Sequence, residues 1–263
     1  MEAPDTISVT LPQIAKLIDY SLLHPTMTDR DILAGLELAK KYKVTTACVK
    51  PYSIPVAKDA LAGSGVLICA VVGFPHGSST THTKVLEAEE AVSAGAHEID
   101  MVVNVGKVLG ADWEYVTNEI RAINDTVVRH DAALKVIFEN DFLDDDHIVY
   151  LCKICTSLSV AFVKTSTGYG FVKQPNGFYT YRGATVTRLK LMKANVGPEV
   201  GIKAAGGIRT LDDLLFAMSL GVNRIGASAT ASIMEEAIKP GIKNTPTEVP
   251  LVPMVGDAEG GEY

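Results

Sequence analysis

Two lysines, an aspartate and a set of glycine-bearing turns are the residues here whose types and spacing could do chemistry. Lys164 closes the apolar run Val160-Ala161-Phe162-Val163, and Thr165-Ser166-Thr167-Gly168-Tyr169-Gly170 follows at once. An ammonium at the end of a buried strand is costly unless it is paired or gives up its proton. A neutral amine in such a place attacks carbonyls to form Schiff bases. The small, hydroxyl-rich residues after it can bring backbone N–H groups close to an anion. Read alone, the segment is equally a lysine snorkelling from a strand end into water. Lys203 ends a second apolar run, so two ammonium groups on consecutive strands would share one cavity. Their repulsion would make one of them lose its proton more easily. The competing reading pairs one lysine with Asp100 or Glu139 in a structural ion pair.

Asp100 lies in Glu98-Ile99-Asp100-Met101-Val102, where alternation puts Glu98, Asp100 and Val102 on one face. An inward carboxylate must be paired or working, and Asp100 is the candidate general acid/base. Asp19 either assists that network or fixes Lys164 by charge. Three glycine-bearing segments make a candidate phosphate site: Thr167-Gly168, Gly206-Gly207-Ile208-Arg209 and Gly226-Ala227-Ser228. Ser228 is expected to start the last helix and offer its hydroxyl and N–H to an anion. His76 is a weaker acid/base candidate, since a loop histidine is more often exposed or structural. No His/Cys/carboxylate cluster shows metal-ligand spacing in the sequence, so no metal or other cofactor is expected. Cys152-x-x-Cys155 sits in a helical pattern without a second cysteine pair, and reads as core.

The elements that must position these residues are strand–helix pairs. Apolar runs at Ile18–Leu23, Val44–Val49, Val66–Val72, Ile99–Val103, Leu134–Phe138, Val160–Val163, Val200–Ala204 and Asn223–Gly226 read as buried strands. Helical periodicity separates them, as in the stripe Val116, Ile120, Ile123, Val127. Eight such pairs without a linker predict a single-domain (β/α)8 TIM barrel, an α/β fold of typically ~250 residues. A doubly wound open sheet is the alternative. The barrel is expected over residues 1–243, opening with a short N-terminal helix, and an irregular tail over 244–263. In a barrel, Asp19, Cys48, Asp100, Asn104, Glu139, Lys164 and Lys203 fall at the strand ends where active sites lie. Phe171–Tyr181 is expected to be an ordered loop.

Composition narrows the function classes. The 263 residues, 47% hydrophobic and 21% charged, describe an ordinary globular protein. A formal net charge of −7 argues against a broad nucleic-acid surface. No apolar run approaches the ~20 residues that span a bilayer, and Met1–Leu11 lacks a signal-peptide core. A cytoplasmic protein with four reduced cysteines and no membrane partner is expected.

Seven segments together resemble the deoxyribose-phosphate aldolase family: Ile18-Asp19-Tyr20-Ser21-Leu22-Leu23, Val72-Gly73-Phe74-Pro75-His76-Gly77, Glu98-Ile99-Asp100-Met101-Val102, Lys135-Val136-Ile137-Phe138-Glu139, Phe162-Val163-Lys164-Thr165-Ser166-Thr167-Gly168, Lys203-Ala204-Ala205-Gly206-Gly207-Ile208-Arg209-Thr210 and Gly226-Ala227-Ser228. The resemblance runs in order from about Ile18 to Ala237. It implies a metal-free class I aldolase that reversibly cleaves 2-deoxy-D-ribose 5-phosphate to glyceraldehyde 3-phosphate and acetaldehyde, in deoxyribonucleotide catabolism. By the same resemblance Lys164 is the Schiff-base lysine, Lys203 the neighbour that eases its deprotonation, and Asp100 the proton donor and acceptor. Cys48 matches a cysteine the family does not need for catalysis. Tyr263 stands where some members place a C-terminal tyrosine that takes part in proton transfer. Many members have His-Thr in place of Tyr20-Ser21, and some have lysine at Tyr169 and serine at Ala229. The implied partners are a small phosphorylated sugar, aldehydes and further copies of the chain, a dimer being the expected assembly. A phosphosugar isomerase using Asp100 and Glu139, and a non-catalytic phosphosugar-binding barrel, are the competing readings of the residues themselves.

Overall fold

The computed structural model describes residues 5–173 and 175–254. The strands in chain order are β1 (Thr6–Val9), β2 (Ile18–Leu22), β3 (Thr46–Val49), β4 (Leu67–Val72), β5 (Glu98–Val102), β6 (Ala133–Ile137), β7 (Phe162–Lys164), β8 (Val172–Lys173), β9 (Tyr179–Thr180), β10 (Gly201–Ala205), β11 (Arg224–Ala227) and β12 (Thr247–Pro250). The helices are α1 (Leu11–Leu17), α2 (Asp29–Tyr42), α3 (Ile54–Leu61), α4 (Thr81–Ala94), α5 (Val105–Leu109), α6 (Trp113–Val128), α7 (Asp145–Ser157), α8 (Val186–Asn195), α9 (Leu211–Ser219) and α10 (Thr230–Ile238). Strands β2 to β7, β10 and β11 close into an all-parallel barrel, with β7 paired to β10 and β11 returning to β2. Closure rules out the open doubly wound sheet.

The helices begin where the side chains dictate. Thr10, Thr28 and Thr210 form capping boxes with Gln13, Asp31 and Asp213, and Thr80, Asp112, Asp144 and Thr185 each accept from a backbone N–H three residues on. Strand alternation then sorts the barrel into two environments. Ile18, Leu22, Val49, Ile68, Ile99, Val136, Val163, Ile202 and Ile225 join the main apolar core with the helices. The opposite faces carry Asp19, Cys48, Cys69, Asp100, Lys135, Lys164 and Lys203, whose side chains meet one another inside the barrel.

Two local expectations, on the tail and on the last helix, are corrected. The segment expected to be an irregular tail from residue 244 contains β12, which pairs antiparallel with β1. Ile7 and Val249 are register partners and pack on the core, and an edge strand tolerates the terminal Pro250. The last helix begins at Thr230 with Ala229 as its N-cap, two residues after Ser228. The loop between β7 and α8 contains the small hairpin β8–β9. Among the described residues, no helix is long and apolar enough to cross a membrane.

A buried ion pair anchors the strand that carries Asp100. Lys84 on α4 donates to Val102 O (2.8 Å) and to Glu119 Oε1 (2.9 Å) on α6, while Glu119 Oε2 accepts from Asn104 N (3.0 Å). Both side chains are fully buried. Removing one partner strands a buried charge, so Lys84→Met should lose about 3–5 kcal/mol of stability. The paired change Lys84→Met/Glu119→Leu should recover most of it in urea unfolding. Equal losses in the single and double variants would remove this pair as the anchor.

Candidate active site

Asp100 is fully buried and is the point on which the inner side chains converge. Its Oδ1 accepts from Lys135 Nζ at 3.0 Å and from the Cys69 thiol at 3.2 Å. Its Oδ2 accepts from Lys164 Nζ at 2.6 Å and from Lys203 Nζ at 2.8 Å. Lys164 and Lys203 are register partners on β7 and β10, which is why both reach one oxygen. Lys203 Nζ also lies 2.7 Å from Asp19 Oδ2. Lys135 Nζ lies 2.5 Å from Glu98 Oε2 and 3.6 Å from Asp19 Oδ2. Arg224 spans the base of the group, with Nη1 2.8 Å from Asp19 Oδ1 and Nη2 3.0 Å from Glu98 Oε1. Three acidic and four basic side chains thus share the barrel interior.

The network decides the protonation states. Burial alone would raise Asp100, but Lys135, Lys164 and Lys203 outweigh it and hold the carboxyl well below the usual range. The same contest leaves Asp19 depressed, chiefly through Lys203 and Lys135. Burial would lower Lys203, yet Asp100 and Asp19 prevail and raise it, so Lys203 stays charged. Lys135 is likewise held protonated by Asp100, Cys69, Asp19 and Glu98. Two sequence expectations change here. Asp19 fixes Lys203 and Arg224 rather than Lys164. The two lysines do not simply repel each other, because Asp100 Oδ2 bridges them.

The glycine-bearing loops follow β7, β10 and β11, which are neighbours in the barrel. Thr165 Oγ1 donates to Ala205 O (2.8 Å) and accepts from Ala205 N (2.9 Å), tying the first two loops together. Gly206 and Gly207 both have positive φ, +86° and +85°, a turn that other residues adopt only with strain. Gly226 has a use that its motif did not suggest. A Cβ there would stand 2.9 Å from Ala205 Cβ and 3.2 Å from Lys203 Cε, so its bareness makes room for Lys203. Arg209 is exposed, and its backbone N donates to Asp213. Ser228 is exposed and caps no helix. Thr167 is not free to grip an anion directly, because its N–H and hydroxyl both bond to Glu139.

A family profile described as "DeoC/LacD family aldolase" matches residues 14–232. The chain belongs to that family. It is 45% identical over 226 residues to a deoxyribose-phosphate aldolase of Rhodopirellula baltica, spanning 86% of this chain and 90% of the relative. A deoxyribose-phosphate aldolase of Caldanaerobacter subterraneus is 42% identical over 234 residues, 89% of this chain and 97% of its own. A solved deoxyribose phosphate aldolase from Aeropyrum pernix, described as a unique tetrameric structure, matches with a TM-score of 0.77 at 28% identity. The match covers 87% of this chain and 93% of that one.

In this DeoC/LacD aldolase the other candidates divide clearly. Cys48 is buried inside the barrel with its sulfur 3.5 Å from Cys69. Cys48, Cys69 and Asp100 place their ligand atoms within 4.8 Å of one another, a cluster the sequence spacing did not reveal. Lys135 Nζ, 3.4 Å from Cys69 Sγ, already supplies the positive charge there. His76 is exposed, and Asn104 caps α5. Cys152 and Cys155 are core residues of α7, and burial pushes the Cys152 thiol up to about 12. Tyr263 lies outside the described residues. Lys135 and Arg224 were missed as site residues, although Lys135 carried a signal, a lone charge between Leu134 and Val136. Ser166 was also missed, and its fully buried Oγ has no hydrogen-bond partner among the described residues.

Replacing Asp100 tests the network. Asp100→Asn leaves three buried ammonium groups short of a counter-charge and should cost about 3–5 kcal/mol in urea unfolding. The folded-state carboxyl titrates well below its ordinary 3.8. Its contribution is therefore complete above that value and fades as pH falls beneath it. The acid-side loss of stability should shrink in the variant. An unchanged acid limb would show that Asp100 is not what acid titrates.

Proposed function

We propose that this chain reversibly cleaves 2-deoxy-D-ribose 5-phosphate to D-glyceraldehyde 3-phosphate and acetaldehyde, as a class I aldolase of deoxyribose and deoxyribonucleotide catabolism. The observation that carries the reading is the meeting of Lys164 and Lys203 on Asp100 Oδ2, inside a barrel whose relatives bear that name. In this reading Lys164 is the nucleophile. Its neutral amine adds to the C1 aldehyde of the open-chain sugar, and protonation of the carbinolamine hydroxyl by the site's acid lets water leave and a protonated imine form. A base then takes the proton of the C3 hydroxyl, the C2–C3 bond breaks, and its electron pair runs into the iminium to give an enamine. Glyceraldehyde 3-phosphate leaves. Protonation of the enamine at C2 and addition of water to the resulting imine release acetaldehyde and the free lysine. Because the imine itself is the electron sink, the chemistry calls for no metal or cofactor.

Asp100 is the group proposed to move the proton, through a bound water, with Lys203 as a fixed cation beside it and Asp19 holding Lys203 in place. The phosphate is assigned to the three adjacent loops, through Gly168, Gly206-Gly207 with Arg209, and the Gly226–Ser228 segment. Thr167 serves that site by shaping its loop. The reading further places the enzyme in the cytoplasm as a homo-oligomer, with a dimer expected by light scattering.

Borohydride reduction in the presence of acetaldehyde should leave an ethyl group on Lys164, found by peptide mass spectrometry, and Lys164→Ala should abolish both adduct and turnover. Recovery of unmodified Lys164 from a turning-over enzyme would end the Schiff-base reading in favour of an imine-free isomerase. Lys203→Leu should lower kcat by about 10²–10³, the usual range for losing one fixed electrostatic group. A kcat close to the parent's would remove Lys203 from the reaction.

A further inference from the structure

The carboxyl of Glu139 bonds to Thr167 rather than to the lysine–aspartate network, yet it sits at the end of β6 next to the strand of Lys164. Its residue is 2% exposed and its backbone is left-handed, with φ +60° and ψ +63°. A non-glycine residue in that region costs free energy and persists only where the surroundings enforce it. The enforcement here is visible. Thr167 N donates to Glu139 Oε1 at 3.2 Å and to Oε2 at 3.4 Å, and the Thr167 hydroxyl donates to Oε2 in a short hydrogen bond. Thr167 Oγ1 in turn accepts from Tyr169 N at 2.9 Å. A Cβ at Gly170 would lie 2.5 Å from Glu139 Cδ, so the chain folds over the carboxyl only because residue 170 has no side chain. One buried side chain thus consumes both donors of Thr167 and sets the path of residues 167–170.

We propose that Glu139 is the positioning residue of the anion loop, holding Thr167 so that the Gly168 segment, rather than Thr167, meets the phosphate of the substrate. This rests on the phosphorylated-sugar reading above. The side chain is also placed to make phosphate affinity depend on pH. Burial pushes its carboxyl up to about 7, against the Thr167 hydrogen bonds and with help from Asp141, while the Lys164 ammonium draws it down. Below that value the carboxyl is neutral and sets no negative charge against an incoming phosphate. Above it, a buried carboxylate stands behind the loop and repels the dianion. Glutamine in its place keeps a carbonyl oxygen for Thr167 N and an amide that can donate to Thr167 Oγ1, but never ionises.

The test uses the full chain with 2-deoxyribose 5-phosphate and unphosphorylated 2-deoxyribose as paired substrates. It also measures binding of inorganic phosphate by calorimetry, which needs no turnover. Glu139→Ala should raise KM for the phosphorylated sugar at least about tenfold, leave KM for deoxyribose unchanged, and weaken phosphate binding in parallel. Gly170→Ala, which leaves Glu139 present but displaced, should act in the same direction should Glu139→Ala fold poorly. In the parent, KM for the phosphorylated sugar should climb as pH passes about 7 relative to Glu139→Gln, which cancels the titration of the substrate itself. Equal KM changes for the two sugars, or a collapse of kcat with KM retained, would overturn the positioning role. An enzyme that turns over neither sugar, but whose phosphate binding still falls in Glu139→Ala, would sink the aldolase reading and keep this one. A parent that binds no phosphate would sink this one.

Discussion

A single buried carboxylate that accepts from four donors is the interaction on which the rest of this structure depends. Asp100 holds Lys135, Lys164, Lys203 and the Cys69 thiol at hydrogen-bonding distance, from positions on four other strands. Taking one carboxylate out of water is expensive, and only close, well-aligned partners offset the cost. Here the lysine partners outweigh the cost of burial and hold the carboxyl well below its usual range. The whole group is held in a place from which water is largely excluded. Such a site is pre-organised for chemistry that passes through a negatively charged oxygen or an electron-rich carbon.

The barrel makes that concentration of charge tolerable by keeping it apart from the apolar core. Outward positions of the same strands pack against the helices in one continuous cluster, so the apolar core forms without the polar interior. The interior can therefore be given to function. Gly226 shows how tightly it is filled, since a single methyl there would press on Lys203. Lys84 and Glu119 repeat the logic outside the barrel, where a fully buried pair ties the end of β5 to two helices. The strand bearing Asp100 is thereby fixed at the end where the chemistry is proposed.

The loops after β6, β7 and β10 form a second layer of organisation. Glu139 and Asp141 follow β6, and each reaches into the long connection after β7. Glu139 takes the donors of Thr167, while Asp141 accepts from Arg182 N at 2.6 Å and Gly183 N at 3.0 Å. The connection is thus held at both ends by one short turn. Ala184 N then donates to Gly206 O at 3.0 Å, linking it to the loop after β10. Carboxylates that repel one another and titrate upward through burial are accepted here because the backbone they organise would otherwise be free.

Much of this was legible in the residues. The eight apolar runs and the alternation placing Glu98 and Asp100 on one face depend on local rules that tertiary contacts did not overturn. Lys164, Lys203 and Asp100 could be singled out because a charge at an inward strand position demands a partner. What the chain by itself did not determine was the partnership. Whether Asp19 faced Lys164 or Lys203, whether Lys135 belonged to the group, and what the glycines were for depend on which strands become neighbours when the sheet closes. Closure fixes the register between residues some sixty to two hundred apart in sequence, as between Asp100 and Lys164 or Asp19 and Arg224. Local pattern carries no record of that register. The sequence determined which residues must be paired or working, and the closed barrel decided with whom, because only three-dimensional proximity sets the strength and sign of the field each charge feels.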